Sequence, residues 1–268
     1  MNLLPASRLM ALLLPAAMLP AAAFAQGFAA YISPPRFEVQ AEAGKPLRQV
    51  LEIQHVGQQK GNYRVYTADW TFNPDNSVSF STELAPDSCR PWVAIERREL
   101  SIEPGARYRY RFEINPPAGT PPRECRFALM VEGLDPAKVQ GNISFPVGGR
   151  IGVIVYAAIG GAAPQLSIST QQVVQVNGKP TATIDVRNTG NAHGRLEGFV
   201  NGTDAAGTQF EMSPADLPIL PGETRRVALS PVPEDGKAAP EIRFPLSVKG
   251  RLEWGANRLP LDTSFVAP

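Results

Sequence analysis

Polar and apolar positions alternate along most of this chain, and almost no stretch repeats at the period of a helix. Arg107-Tyr-Arg-Tyr-Arg-Phe-Glu-Ile114 sets basic residues against apolar ones position by position. That pattern predicts a strand with one wet and one dry face. The same alternation predicts strands at Arg48–Gln54, Tyr63–Trp70, Val78–Phe80, Trp92–Ile95 and Glu99–Ile102. Phe127-Ala-Leu-Met-Val131 is apolar throughout, as a strand covered on both faces would be. Ile143 to Ile159 is one long, nearly uncharged β segment.

The style then repeats. Gly160-Gly-Ala-Ala-Pro164 marks a boundary, followed by short strands at Gln165–Ile168, Val173–Val176, Ala182–Val186 and Gly198–Val200. Asn177-Gly178 is a hairpin signal. Leu220-Pro-Gly-Glu-Thr-Arg mirrors Ile102-Glu-Pro-Gly-Ala-Arg in the first half. The 27 prolines and 23 glycines are scattered between these runs, as many short strands require. The pattern predicts an all-β protein of two immunoglobulin-like β-sandwich domains in tandem, residues 26–160 and 165–268.

The first residues change the picture of where the chain works. Arg8 precedes an apolar run from Leu9 to Phe24, which closes on the small-x-small pattern Ala23-Phe24-Ala25. Residues 1–25 therefore read as a secretory signal peptide cleaved after Ala25. The run is short for a membrane anchor and carries Pro15 and Pro20. An exported chain meets an oxidising compartment, so Cys89 and Cys125 are expected to form a disulfide. Closing that loop would stabilise the fold by about 3–4 kcal/mol in the chain-entropy model.

Candidate chemistry is sparse. The formal net charge is +1 and no basic tract occurs, which argues against a nucleic-acid partner. His55 and His193 fall in different halves, His55 near the turn before Gly57 and His193 in a turn-rich loop, and neither has a cysteine or second histidine beside it. No metal site or catalytic residue is assigned. The nucleotide-binding, zinc-protease and nucleophile-elbow motifs are absent. No cofactor or small-molecule substrate is implied.

Several short motifs, in order, carry a resemblance. They are Ile32-Ser-Pro-Pro-Arg-Phe-Glu-Val39, Leu100-Ser-Ile-Glu-Pro-Gly-Ala106, Pro122-Arg-Glu-Cys-Arg-Phe-Ala-Leu129 and Ile143-Ser-Phe-Pro-Val-Gly-Gly-Arg-Ile-Gly-Val-Ile-Val-Tyr156. Val186-Arg-Asn-Thr-Gly-Asn191 and Leu220-Pro-Gly-Glu223 follow in the second half. Together they resemble the PapD-like periplasmic chaperones of the chaperone–usher pathway, and more closely that family's divergent branches. The resemblance implies a periplasmic protein, monomeric when free, that stabilises pilin or fimbrial subunits and delivers them to an outer-membrane usher. Such subunits lack their last strand, and exposed sheet edges aggregate. The chaperone lends a strand of its own. By resemblance, Ile143, Phe145 and Val147 are the donor-strand residues, sharing one parity. The same alternation also fits three residues facing the chain's own core.

The resemblance further implies that two basic residues capture the subunit's terminal carboxylate. Arg36 matches one of them. Gly152 falls where the family has a lysine, and Arg150, two residues earlier on the same strand face, is the candidate substitute. Two other departures stand out. Tyr156 replaces the arginine that pairs with the glutamate equivalent to Glu124, and Pro146 interrupts the donor strand's ladder. The alternative from another class is a structural or adhesive immunoglobulin-like exported protein, which would lack a basic cleft between its domains.

Overall fold

The computed structural model describes residues 28–134, 149–233, 236 and 238–267. Residues 1–25, expected to be a leader, and the donor-strand candidates Ile143, Phe145 and Val147 lie outside them. The first half forms β1 (Ala30–Ser33), β2 (Arg36–Ala41), β3 (Leu47–His55), β4 (Gly61–Phe72), β5 (Val78–Ser81), β6 (Val93–Ile95), β7 (Glu99–Ile102), β8 (Arg107–Ile114), β9 (Arg123–Gly133) and β10 (Arg150–Ile159). The second half forms β11 (Leu166–Val176), β12 (Lys179–Asn188), β13 (Val200–Thr203), β14 (Gln209–Pro214), β15 (Thr224–Pro231), β16 (Leu246–Trp254) and β17 (Asn257–Phe265). The molecule is all-β, with two domains. No helix among the described residues is long and apolar enough to cross a membrane.

In the first domain one sheet runs β1-β3-β8-β6 and the other β2-β10-β9-β4-β5, with β7 also on β4. The alternation in β8 holds: Tyr110, Phe112 and Ile114 are buried and the arginines face out. They meet Val65, Phe127, Leu129, Val153 and Val155 of the opposite sheet in one core. Burying each such side chain contributes about 1.5–3 kcal/mol. Cys89 is bonded to Cys125 of β9, with Cα atoms 5.7 Å apart, which ties the segment before β6 to the core.

The first strand of the domain is split. β1 pairs with β3, then the chain passes through Ser33-Pro34-Pro35 and β2 pairs with β10 in the other sheet. Pro34 and Pro35 have no N–H for a ladder, which suits a crossing point. The register between β2 and β10 begins at Arg36 opposite Ile154. Arg150–Val153 therefore pair with β9 alone among the described residues.

The second domain is one continuous seven-stranded path, β11-β12-β15-β14-β13-β16-β17, folded over at β15. Thr224–Ala228 pair with β12, while Leu229–Pro231 pair with β14. Ile184, Val227, Leu229, Val248, Leu252 and Phe265 fill its centre. Asn177 and Gly178 form the tight hairpin between β11 and β12, both at positive φ (51° and 76°), as the Asn-Gly signal requires. β13 begins only at Val200, and Phe199, placed in a strand by its sequence, is exposed outside it.

Candidate functional site

Alternation on β2 and β10 decides what faces the second domain. On β2, Phe37 enters the core while Arg36 and Glu38 point out. On β10, Val153, Val155, Ala157 and Ile159 enter the core, leaving Ile154, Tyr156 and Ala158 on the opposite face. Across the β9 ladder Arg126 stands opposite Tyr156 and Glu124 opposite Ala158. Charge and aromatic surface thus collect at one end of this sheet.

The second domain meets that end with two loops. Asn188, fully buried, fixes the first: its Nδ2 donates to the carbonyls of Ala192 and Ile219, and its Oδ1 accepts from the N–H groups of Gln165 and Gly190. The amide is satisfied on every side, so the loop after it has one course. Asn191 then crosses to the first domain, donating to Pro122 O and accepting from Glu124 N–H. Two residues on comes His193, and two more Arg195. Asp216, past the end of β14, arrives on the second loop.

His193 sits between carboxylates of two strands. Its Nδ1 lies 2.5 Å from Glu124 Oε2, and its backbone N–H donates to the same oxygen at 2.9 Å. A carboxylate only accepts, so Nδ1 carries the proton. Nε2 faces Glu38 Oε1 at 3.6 Å, an ion pair rather than a hydrogen bond. The ring stacks on Tyr156 with centroids 3.6 Å apart and planes 22° apart. Burial opposes the charged imidazolium most strongly, but the Glu124 and Glu38 carboxylates outweigh it and raise the His193 pKa. Glu38 is held down to about 2, by His193 above all, against the opposing effect of its partial burial. Burial pushes the Tyr156 phenol up to about 12.

Beside this pair is a closed ring of ions. Arg36 Nε lies 2.7 Å from Glu38 Oε1 and its Nη1 3.2 Å from Asp216 Oδ2. Arg195 Nε lies 3.3 Å from the same Glu38 oxygen and its Nη1 2.7 Å from Asp216 Oδ1. The ring therefore joins the domains through both arginines. A cavity of about 320 Å³ opens next to it, lined by Glu38, Glu124, Tyr156, His193, Arg195 and Trp254.

Arg150 is exposed and stands opposite Glu132 on the β9 ladder. It precedes by four positions the residue that pairs with Arg36, roughly 13 Å along the strand. The structure brings Arg36 together with Arg195, not with Arg150. At Gly152, where the resemblance expects a lysine, a Cβ would lie 2.5 Å from Phe80 Cζ and 2.9 Å from Met130 Sδ. The ring of Phe80 takes the space a side chain would need.

Tyr156 cannot pair with Glu124 as an arginine in its place would. Across the domains Glu124 pairs with His193, on which Tyr156 stacks, while its other oxygen lies 3.8 Å from Arg126 Nε on its own strand. Sequence reasoning placed His193 in a turn and gave Glu38, Arg195 and Asp216 no role. Glu38 lies within the Ile32–Val39 motif, and the Val186–Asn191 motif ends two residues before His193. His55, by contrast, is a buried structural residue, bonded to Tyr63 Oη and Gln59 O.

A second contact joins the domains some distance away. Arg225, buried on β15, donates from Nη1 to Asn73 O (3.1 Å) and Asn76 Oδ1 (2.9 Å) in the turn between β4 and β5. Its guanidinium lies 3.9 Å above the Phe72 ring and is also paired with Glu223.

No family model matches the chain, and no curated protein matches it. Solved structures do. The Class 5 fimbriae chaperone CfaA matches at 13% identity with a TM-score of 0.48, over 89% of this chain and 100% of that one. A chain of the Salmonella enterica SafA pilin–SafB chaperone complex matches at 10% identity and 0.48, over 90% and 99%. A chain of the CsuC–CsuE chaperone–tip adhesion subunit pre-assembly complex of Acinetobacter baumannii matches at 14% and 0.45, over 90% and 100%.

Proposed function

We propose that this chain is an exported periplasmic chaperone that completes the unfinished β-sandwich of a pilin-like subunit with a strand of its own. The observation that carries the reading is the open edge of β10. Because the chain crosses between sheets at Ser33-Pro34-Pro35, Arg150–Val153 have β9 on one side and no strand on the other among the described residues. Unpaired N–H and C=O groups there are a template for a foreign strand. Ile143, Phe145 and Val147 precede that edge in the sequence and would supply the side chains that fill the subunit's groove. Arg36, at the start of the β2 register, would anchor the subunit's terminal carboxylate. Release would need no nucleotide, since a strand from the next subunit can replace the lent one. An outer-membrane usher would receive the complex.

Co-expression with a candidate subunit tests this. Arg36→Ala and Phe145→Asp should each lower the subunit's periplasmic yield while the chaperone itself accumulates normally. Undiminished subunit in both variants would remove the mechanism.

A further inference from the structure

We infer that Asp216 is a placeholder for the incoming carboxylate, and that Arg195 of the second domain, rather than Arg150, is the second cation of the anchor. The inference rests on the reading above. Asp216 shows how these two arginines hold a carboxylate: one oxygen goes to Arg36 Nη1 at 3.2 Å and the other to Arg195 Nη1 at 2.7 Å. A polypeptide's terminal carboxylate is the same chemical group with the same two oxygens.

The partners differ in how firmly they are held. The Arg195 side chain is 10% exposed and also donates to the backbone carbonyl of Asp216, so it stays in place when the carboxylate leaves. The Asp216 side chain is 65% exposed and belongs to a connecting loop. Arg195 is fixed and the anion is exchangeable, while Arg36, 42% exposed, is steadied by Glu38 at 2.7 Å. An exposed ion pair contributes little, so displacing Asp216 costs little. Leaving the Asp216 position empty would cost more, because the nearly buried Arg195 would keep only Glu38, 3.3 Å from its Nε. A placeholder meets both conditions: the arginines stay paired in the free chain, and one carboxylate replaces another with no change in net charge. Glu38 remains on both arginines throughout.

The test uses the mature protein and a pentapeptide with a free α-carboxylate, beside its C-terminal amide, titrated while the arginine side-chain N–H signals are followed. The wild-type protein should bind the acid more tightly than the amide. Asp216→Asn should tighten the acid about fivefold and leave the amide unchanged, and Arg195→Gln should reduce the acid to the level of the amide. If Arg36→Ala abolishes the preference while Asp216→Asn leaves it unchanged, the anchor stands and the placeholder is overturned. If Arg36→Ala also has no effect, the carboxylate anchor falls with it, while Phe145→Asp still judges strand lending separately. Asp216 is exposed, so its variant decides the matter even if Arg195→Gln does not fold.

Discussion

The two contacts between the domains are built from different chemistry. At the Arg225 contact, one buried guanidinium meets backbone carbonyls, an amide oxygen, an aromatic face and a single carboxylate. Among the described residues no histidine takes part there. At the His193 contact, two arginines, a histidine and three carboxylates share one crevice, and one of the carboxylates is largely exposed. The first contact fixes where the domains sit. The second contains a largely exposed carboxylate and a histidine with a raised pKa, as the proposed carboxylate site would use.

The largest difference should appear on breaking the first contact. Arg225→Ala leaves the Asn73 carbonyl and Asn76 Oδ1 without their donor and Glu223 without its cation. The loss should be about 3 kcal/mol, as for other broken buried ion pairs. Urea denaturation measures it. Amide hydrogen exchange across Phe72–Val78 should accelerate in the same variant, because the β4–β5 turn is tethered to the second domain by this arginine. Arg225→Lys keeps the charge but not the planar fork, and should recover only part of the loss.

Much of the fold was legible because side-chain period is local. The alternation in β8, the apolar run in β9 and the Asn177-Gly178 turn each specify their own element. The crevice was legible only in part. Arg36 and Glu124 stood in short motifs, but their partners in the other domain lie some 70 to 180 positions away in sequence: Glu124 meets His193, and Arg36 meets Asp216. Nothing in the local pattern of a turn announces that its histidine will stack on a tyrosine of another domain. Arg150 illustrates the converse. Its face was readable from parity, but its distance from Arg36 depended on the β2 register, which begins only after the crossing at Pro34 and Pro35.

A smaller loss should follow at the second contact. The Glu124 side chain is 2% exposed, and His193 supplies both a ring N–H and a backbone N–H to one of its oxygens. His193→Gln keeps the backbone donor and removes the cation and the ring stacked on Tyr156. About 2 kcal/mol should be lost at pH 6, in the range for a buried charged group that loses one hydrogen-bond partner. Equal losses in His193→Gln and Arg225→Ala would erase the contrast between the contacts.

The finest distinction is in the pH dependence, where only the second contact should respond. The groups facing His193 are Glu124 from β9, Glu38 from β2, Tyr156 from β10 and, on its own loop, Arg195. The His193 pKa is raised above its ordinary 6.5, so its contribution is complete below 6.5 and is lost as pH rises through the raised value. Glu38 runs the other way: held at about 2 against an ordinary 4.5, it contributes fully above 4.5 and loses that contribution as pH falls toward 2. Stability should therefore be greatest between these limits and decline on both sides, by less on the alkaline side than His193→Gln costs outright. Urea midpoints from about pH 3 to about pH 9 give the profile. Arg225→Ala should move the whole curve down without changing its shape, whereas His193→Gln should flatten the alkaline limb. An alkaline limb that survives intact in His193→Gln would place its origin in some other group and leave the two contacts alike in their response to pH.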